Sequence, residues 1–155
     1  MSERRHIFCA VVGVVAGLFS IAAQAEVTVK DAWVRGTLPA QTVTGAFMEI
    51  VSTEDATVIS VSSPLSEVVE IHSMTLENGV MKMRPLSRLA LSAGTPVKLA
   101  PGGYHLMLMG LKKTITKGDV VPITLKVKGT NKKTKRVEVR LEVRDLTEVT
   151  EVTAH

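Results

Sequence analysis

The chain has 155 residues, a length that suits one compact domain. Only 3% of the residues are aromatic, and the many Val, Thr and Leu residues favour β-structure over helix. The formal net charge of +4 is a mild excess, and only Trp33, Phe47 and Tyr104 offer aromatic rings after residue 25. Because nucleic-acid binding uses basic surfaces and stacking rings, this composition argues against that function.

Residues 1–25 have the pattern of a secretory signal peptide. Arg4 and Arg5 give a positive start, residues 7–23 are an apolar run, and residues 23–25 (Ala-Gln-Ala) match a cleavage site. We therefore expect a periplasmic protein that starts at Glu26 after cleavage. Two alternatives stay open, an uncleaved membrane anchor and export by the twin-arginine route.

The single cysteine, Cys9, lies within this segment, and not where a lipoprotein cysteine would sit. The mature chain therefore has no thiol. This excludes a disulfide scaffold, a zinc-thiolate site, a cysteine nucleophile and a blue-copper centre, which needs a cysteine ligand.

The rest of the chain shows many short alternating segments bounded by turn residues, and no sustained helical period. This pattern predicts an all-β sandwich or small barrel over residues 26–147, followed by a polar tail at 148–155. The predicted strands are 27–34, 43–52, 56–62, 68–76, 80–85, 95–100, 104–110, 120–128 and 135–145. We expect Trp33 to be the largest core residue of the first strand and Phe47 to be buried. We expect Gly45 to mark a bulge or a close approach.

The last predicted hairpin is strongly basic at its tip. We favour a solvated turn and an edge strand protected by lysines. A docking patch for an acidic partner or for an anionic membrane surface is the alternative. The basic residues are Lys126, Lys128, Lys132, Lys133, Lys135 and Arg136.

Residues 72–109, here the central stretch, contain five of the seven methionines and two of the four histidines. Within the central stretch, Asn78-Gly79 predicts a two-residue hairpin loop of type I′. That loop pairs Met74 with Met83 and, by alternation, places His72 on the same face as both.

The turn at residues 101–103 leads into a second strand of the central stretch, in which His105, Met107 and Met109 share one face. The sequence alone does not show whether this face meets that of His72. Methionine on a strand is usually packing, and we assign Met81 and Met109 to packing.

Alternating His and Met side chains on two strands suggest a soft-metal site. Neutral thioethers select Cu(I), and imidazole suits copper as well. Zinc would favour thiolates or carboxylates, and calcium or magnesium would need several oxygens. Met74 could add a ligand, whereas Glu70 is more readily explained as salt-bridged or solvated than as a partner of the metal site.

Ten residues separate His72 from Met83, twenty-one separate Met83 from His105, and one separates His105 from Met107. This spacing resembles the signature of the periplasmic PCuAC family of copper chaperones. The resemblance implies a cupredoxin-like Greek-key β-sandwich or barrel. It implies one Cu(I) bound by His72, Met83, His105 and Met107, and copper delivery to the CuA centre of cytochrome oxidase or to its assembly factors. The family's metal-binding C-terminal extension is absent here apart from His155.

We therefore expect a monomeric copper carrier and not an enzyme. One competing hypothesis is a copper-dependent redox enzyme, which would need an open coordination position and a substrate cleft. The other is a metal-free structural sandwich, in which His105 and Met107 would be buried and remote from His72.

Overall fold

The computed structural model describes residues 25–145, which form ten β-strands. The predicted all-β class is confirmed, and no helix in the described part could cross a membrane. The predicted cleavable signal peptide and the tail at 148–155 lie outside the described residues, apart from Ala25. The strands are β1 (Val27–Arg35), β2 (Val43–Ser52), β3 (Ala56–Ser62), β4 (Ser66–Glu77), β5 (Val80–Leu86), β6 (Leu89–Leu91), β7 (Val97–Leu99), β8 (His105–Leu111), β9 (Val120–Gly129) and β10 (Thr134–Arg144).

Seven of the strands close into a barrel. Their order is β4-β8-β2-β1-β10-β9-β3, and β3 pairs again with β4. Alternation along these strands points one set of side chains inward, which gives a dense aliphatic core. The core includes the fully buried Val34, Leu106, Leu108, Val121, Leu125 and Leu141.

Trp33 is buried but does not belong to this core. Its neighbour Val34 points inward and is fully buried, so Trp33 lies on the outer face of β1. The expectation that Trp33 is buried is confirmed, but its ring lies outside the inner aliphatic core. A bulge in β1 between Lys30 and Trp33, at which Asp31 adopts a φ of 48°, sets this alternation and could not be located from the sequence pattern.

Strand β6 was missed by the sequence analysis because three residues are too few to show alternation. It explains how β4 leaves the barrel wall. β4 pairs with β3 at one position, Val61 with Val69, while β6 occupies the edge of β3 at residues 56–58. β8 pairs with β4 as far as His72, and β5 pairs with the rest of β4 to Glu77.

The β4–β5 hairpin has the register predicted from its turn. Met74 pairs with Met83, and Glu77 pairs with Val80 across the turn at Asn78-Gly79. Both turn residues have positive φ, 53° and 77°, as a type I′ turn requires.

The explanation that we favoured for the basic hairpin holds only in part, since the lysines of its turn are exposed to solvent. β9 is paired on both sides, with β10 and with β3, so Lys126 and Lys128 have no strand edge to protect. β10 pairs with β1 only at residues 142–144, so edge protection applies only to Lys135 and Arg136 on its first half.

The face of the β4–β5 hairpin opposite to the one that carries Met74 and Met83 holds a small ion-pair network. Lys82 Nζ lies 3.0 Å from Glu77 Oε2, and Arg84 Nη2 lies 2.9 Å from Glu77 Oε1. Lys82 first, and Arg84 second, hold the pKa of Glu77 below its ordinary value. The network stabilises the hairpin above the ordinary glutamate pKa, and this effect is lost as the pH falls through the lowered pKa.

We predict that the double substitution Lys82→Gln/Arg84→Gln raises the pKa of Glu77, because both cations that favour its charged form are removed. The measurement is an NMR titration of the Glu77 side-chain carboxyl signal. Lys98→Gln removes an exposed lysine elsewhere and should leave the midpoint unchanged. A midpoint that is equal in the double variant and the parent protein would contradict the assigned cause.

Candidate metal centre

The two histidines of the central stretch lie side by side. β4 and β8 are antiparallel neighbours, and His72 is directly opposite His105. The ring centroids are 5.6 Å apart in an edge-to-face arrangement. Both residues are largely buried, at 9% and 6% exposure. The two His/Met faces therefore meet, which the sequence alone could not show.

The two methionines of the predicted ligand set flank this histidine pair. Met107 is opposite Glu70. This pair lies two residues from the histidines along each strand and therefore on the same face of the sheet. Met83 is opposite Met74, which lies two residues after His72 on β4. Met83 is therefore on the same face and diagonal to His72. All four predicted residues thus occupy three successive rows of one face, with Met83 47% exposed and Met107 half-buried.

Each imidazole has one nitrogen held by a neighbour. The Nε2 of His72 lies 2.8 Å from Glu70 Oε2, and the Nδ1 of His105 lies 3.0 Å from the carbonyl oxygen of Gly103. Because carboxylate and carbonyl oxygens accept, these nitrogens donate. In the neutral rings the lone pairs are then on Nδ1 of His72 and Nε2 of His105.

The Nδ1 atom of His72 is buried and has no hydrogen-bond partner within the described residues. A buried acceptor without a partner is uncommon in folded proteins and calls for an explanation. Glu70, which we expected to be salt-bridged or solvated, pairs with His72 and thereby fixes the orientation of the ring that carries this atom.

An aromatic row supports the histidine pair from the side of β1 and β2. The rings of Trp33 and Phe47 are 4.5 Å apart between centroids, and Phe47 lies 6.4 Å from His105. Gly45 makes room for this row, since a Cβ there would lie 3.1 Å from Phe47 Cζ. The predicted close approach at Gly45 is therefore present. Gly45 and Phe47 are two residues apart on β2 and so lie on the same face. This was the sequence signal from which the position of the aromatic row could have been predicted.

The remaining methionines of the central stretch differ from one another. Met74 faces Met83 and is partly buried. Met109 is partly buried between Val43 and Val68, as a packing residue would be. Met81 is 47% exposed at the outer end of the β4–β5 hairpin, so its assignment to packing was wrong. The projection of this hairpin from the barrel leaves its outer half without a covering layer.

The donor atoms around the histidine pair are thioether sulfurs and the Glu70 carboxylate. No group of three or more His, Cys, Asp or Glu side chains gathers within residues 25–145. The arrangement is therefore suited to a metal that accepts imidazole and neutral sulfur.

The fold matches that of several solved proteins. The copper-bound PCuAC domain from PmoF2 superposes with a TM-score of 0.62 at 21% identity, over 77% of this chain and 92% of that domain. Apo-DR1885 from Deinococcus radiodurans gives a TM-score of 0.55 at 25% identity, over 93% of this chain and 96% of that protein. The Cu(I) form of DR1885 gives 0.52 at 30% identity, over 75% and 76%. The predicted cupredoxin-like β fold is confirmed.

A relative from Leifsonia xyli subsp. xyli, named "Putative lipoprotein Lxx21020", is 33% identical over 103 residues, or 64% of this chain. The chain spans 61% of the length of that relative. Residues 27–143, nearly all of the described barrel, match the family described as "Putative lipoprotein LpqE-like". The chain therefore belongs to the LpqE-like family.

Proposed function

We propose that this protein is a periplasmic copper carrier that binds one Cu(I) through His72, Met83, His105 and Met107. The observation that carries the proposal is the cross-strand pair of His72 and His105, flanked on the same face by thioethers. The metal hypothesis would have failed if His105 and Met107 were buried and remote from His72. That condition is not met, because His105 is directly opposite His72.

The chemistry of these donors favours Cu(I). Neutral imidazoles and thioethers are soft enough for Cu(I), and none of the four ligands adds negative charge. The unpartnered Nδ1 of His72 supplies a lone pair at the site, and Glu70 and Gly103 orient the two rings. The half-exposed Met83 leaves one ligand within reach of a partner protein, as a carrier that releases its cargo requires.

The comparisons support copper as the cargo. DR1885 was solved with Cu(I), at 30% identity to this chain, and a PCuAC domain with the same fold was solved with copper. Membership of a family described as lipoproteins supports an exported, envelope-associated protein. We propose that residues 1–25 direct this export and are then removed.

The proposed recipient of the copper is the CuA centre of cytochrome oxidase, or an assembly factor of that enzyme. This part of the proposal comes from the resemblance of the His/Met spacing to the signature of PCuAC chaperones. A carrier role, and not an enzymatic one, is consistent with a site whose donors are mainly neutral and soft.

The ligand set predicts tight one-to-one Cu(I) binding that depends on both strands. In an anaerobic titration against a competing chelator, Met83→Leu and His105→Ala should each weaken binding by at least about 100-fold. Loss of a ligand should cost no less than loss of a residue that only orients one, which typically costs about 10–100-fold.

The matched control is Met48→Leu, which removes a buried thioether from the barrel core, in a swap that keeps the side-chain volume. Its affinity for Cu(I) should equal that of the parent protein. Failure of the parent to bind one copper, or equal binding by the combined Met83→Leu/His105→Ala variant, would refute the proposed site.

Glu70 should act on the metal through His72. We predict that Glu70→Ala lowers the Cu(I) affinity about 10–100-fold, because the His72 ring loses the acceptor that fixes its orientation. In the copper-free protein, NMR of the ring nitrogens should show His72 losing its preference for the Nε2–H tautomer. Glu67→Ala, on the same strand, is the control. An unchanged tautomer with an unchanged affinity would show that Glu70 has no such role.

Delivery can be tested with a purified copper-free CuA domain. We expect copper to move from the loaded carrier to this domain, as measured by metal analysis after the two proteins are separated. The comparison is a chelator buffered to the same free Cu(I) concentration. Transfer that is no faster from the carrier than from the chelator would argue against a specific recipient.

A further inference from the structure

Two arginines face each other beside the aromatic row. Arg35 at the end of β1 and Arg144 at the end of β10 are direct partners where these strands pair. Like charges placed opposite one another destabilise a sheet. Within residues 25–145, neither guanidinium has a carboxylate oxygen within 4.0 Å, although Glu142 lies on the same face of β10. The fold therefore places two cations side by side without a paired carboxylate.

Both guanidinium groups are held against aromatic rings. The Cζ atom of Arg144 lies 5.1 Å from the ring centroid of Trp33, and that of Arg35 lies 5.9 Å from the ring centroid of Phe47. Stacking fixes the plane of a guanidinium and therefore the direction of its N–H donors. The Nε of Arg35 is buried and has no acceptor among the described residues, so one of these donors is unused.

Arg35 of this pair shares a groove with one of the proposed copper ligands. The groove, of about 580 Å³, is lined by Arg35, Gln41, Thr44, Gly45 and Met107. Phe47, on which Arg35 stacks, also lies beside His105. An anionic group bound by Arg35 would therefore sit next to one of the proposed copper ligands.

We propose that Arg35 and Arg144 form a carboxylate-binding site that docks acidic side chains of the protein receiving the copper. Guanidinium groups bind carboxylates with two parallel hydrogen bonds, which orients the partner as well as attracting it. Charges at the rim of an interface mainly raise the association rate and set the register of docking. The identity of the partner rests on the proposed function, whereas carboxylate binding by the two arginines does not.

The test uses the copper-free protein and a hexaglutamate peptide at low salt. Trp33 is the only tryptophan in the chain, so its fluorescence reports binding next to Arg144. NMR of the Arg35 Nε–H is the second readout. We expect saturable binding that weakens with added salt and falls about fivefold in each of Arg35→Gln and Arg144→Gln.

Arg140→Gln is the matched control, since Arg140 is exposed on the same face of β10. It should bind the peptide as the parent protein does. Arg35→Lys and Arg144→Lys keep the charge but lose the planar fork, so they should bind more weakly than the parent and still respond to salt. If a glutamine variant fails to fold, the lysine variant at the same position replaces it in the binding test.

Acetate, at the same carboxylate concentration, separates a protein partner from a small free anion. Peptide binding that is tighter than acetate binding supports the docking role, and equal binding of the two overturns it. Binding that is unaffected by both glutamine substitutions, or absent at low salt, also overturns the proposal. Because copper is absent throughout, these outcomes are independent of whether the protein binds Cu(I).

Discussion

The candidate centre depends on the register between β4 and β8. Side chains alternate along both strands, so a shift of one residue in their pairing would place His72 and Met107 on opposite faces of the sheet. The observed register places His72 opposite His105 and directs Ile71 and Leu106 into the core. Burial of these apolar neighbours therefore holds the two imidazoles together, and the packing of the barrel core determines the geometry of the site.

Much of this arrangement was readable from local pattern. Asn78-Gly79 determined the pairing of Met74 with Met83, and parity separated His105 and Met107 from the buried Leu106 and Leu108. Both signals depend only on residues a few positions apart. For the same reason the strand bounds 43–52 and 56–62 agree with the structure.

The contacts between distant strands were not readable in this way. The pairing of β4 with β8 joins segments more than thirty residues apart. The outward position of Trp33 depends on a bulge in β1, and the exposure of Met81 depends on the departure of β4 from β3. Each of these follows from packing across the whole barrel, which a single sequence does not encode in any short window.

The separation of β4 from β3 also places the proposed ligands on two different parts of the fold. His105 and Met107 belong to a strand paired on both sides in the barrel wall, whereas Met83 belongs to β5, the terminal strand of the sheet order. A bend of this two-stranded arm would move the Met83 thioether relative to His105 and Met107 without breaking the pairing of β8 with β2. If copper binds at the proposed site, its contact with Met83 would therefore be separable from its contacts with the barrel wall.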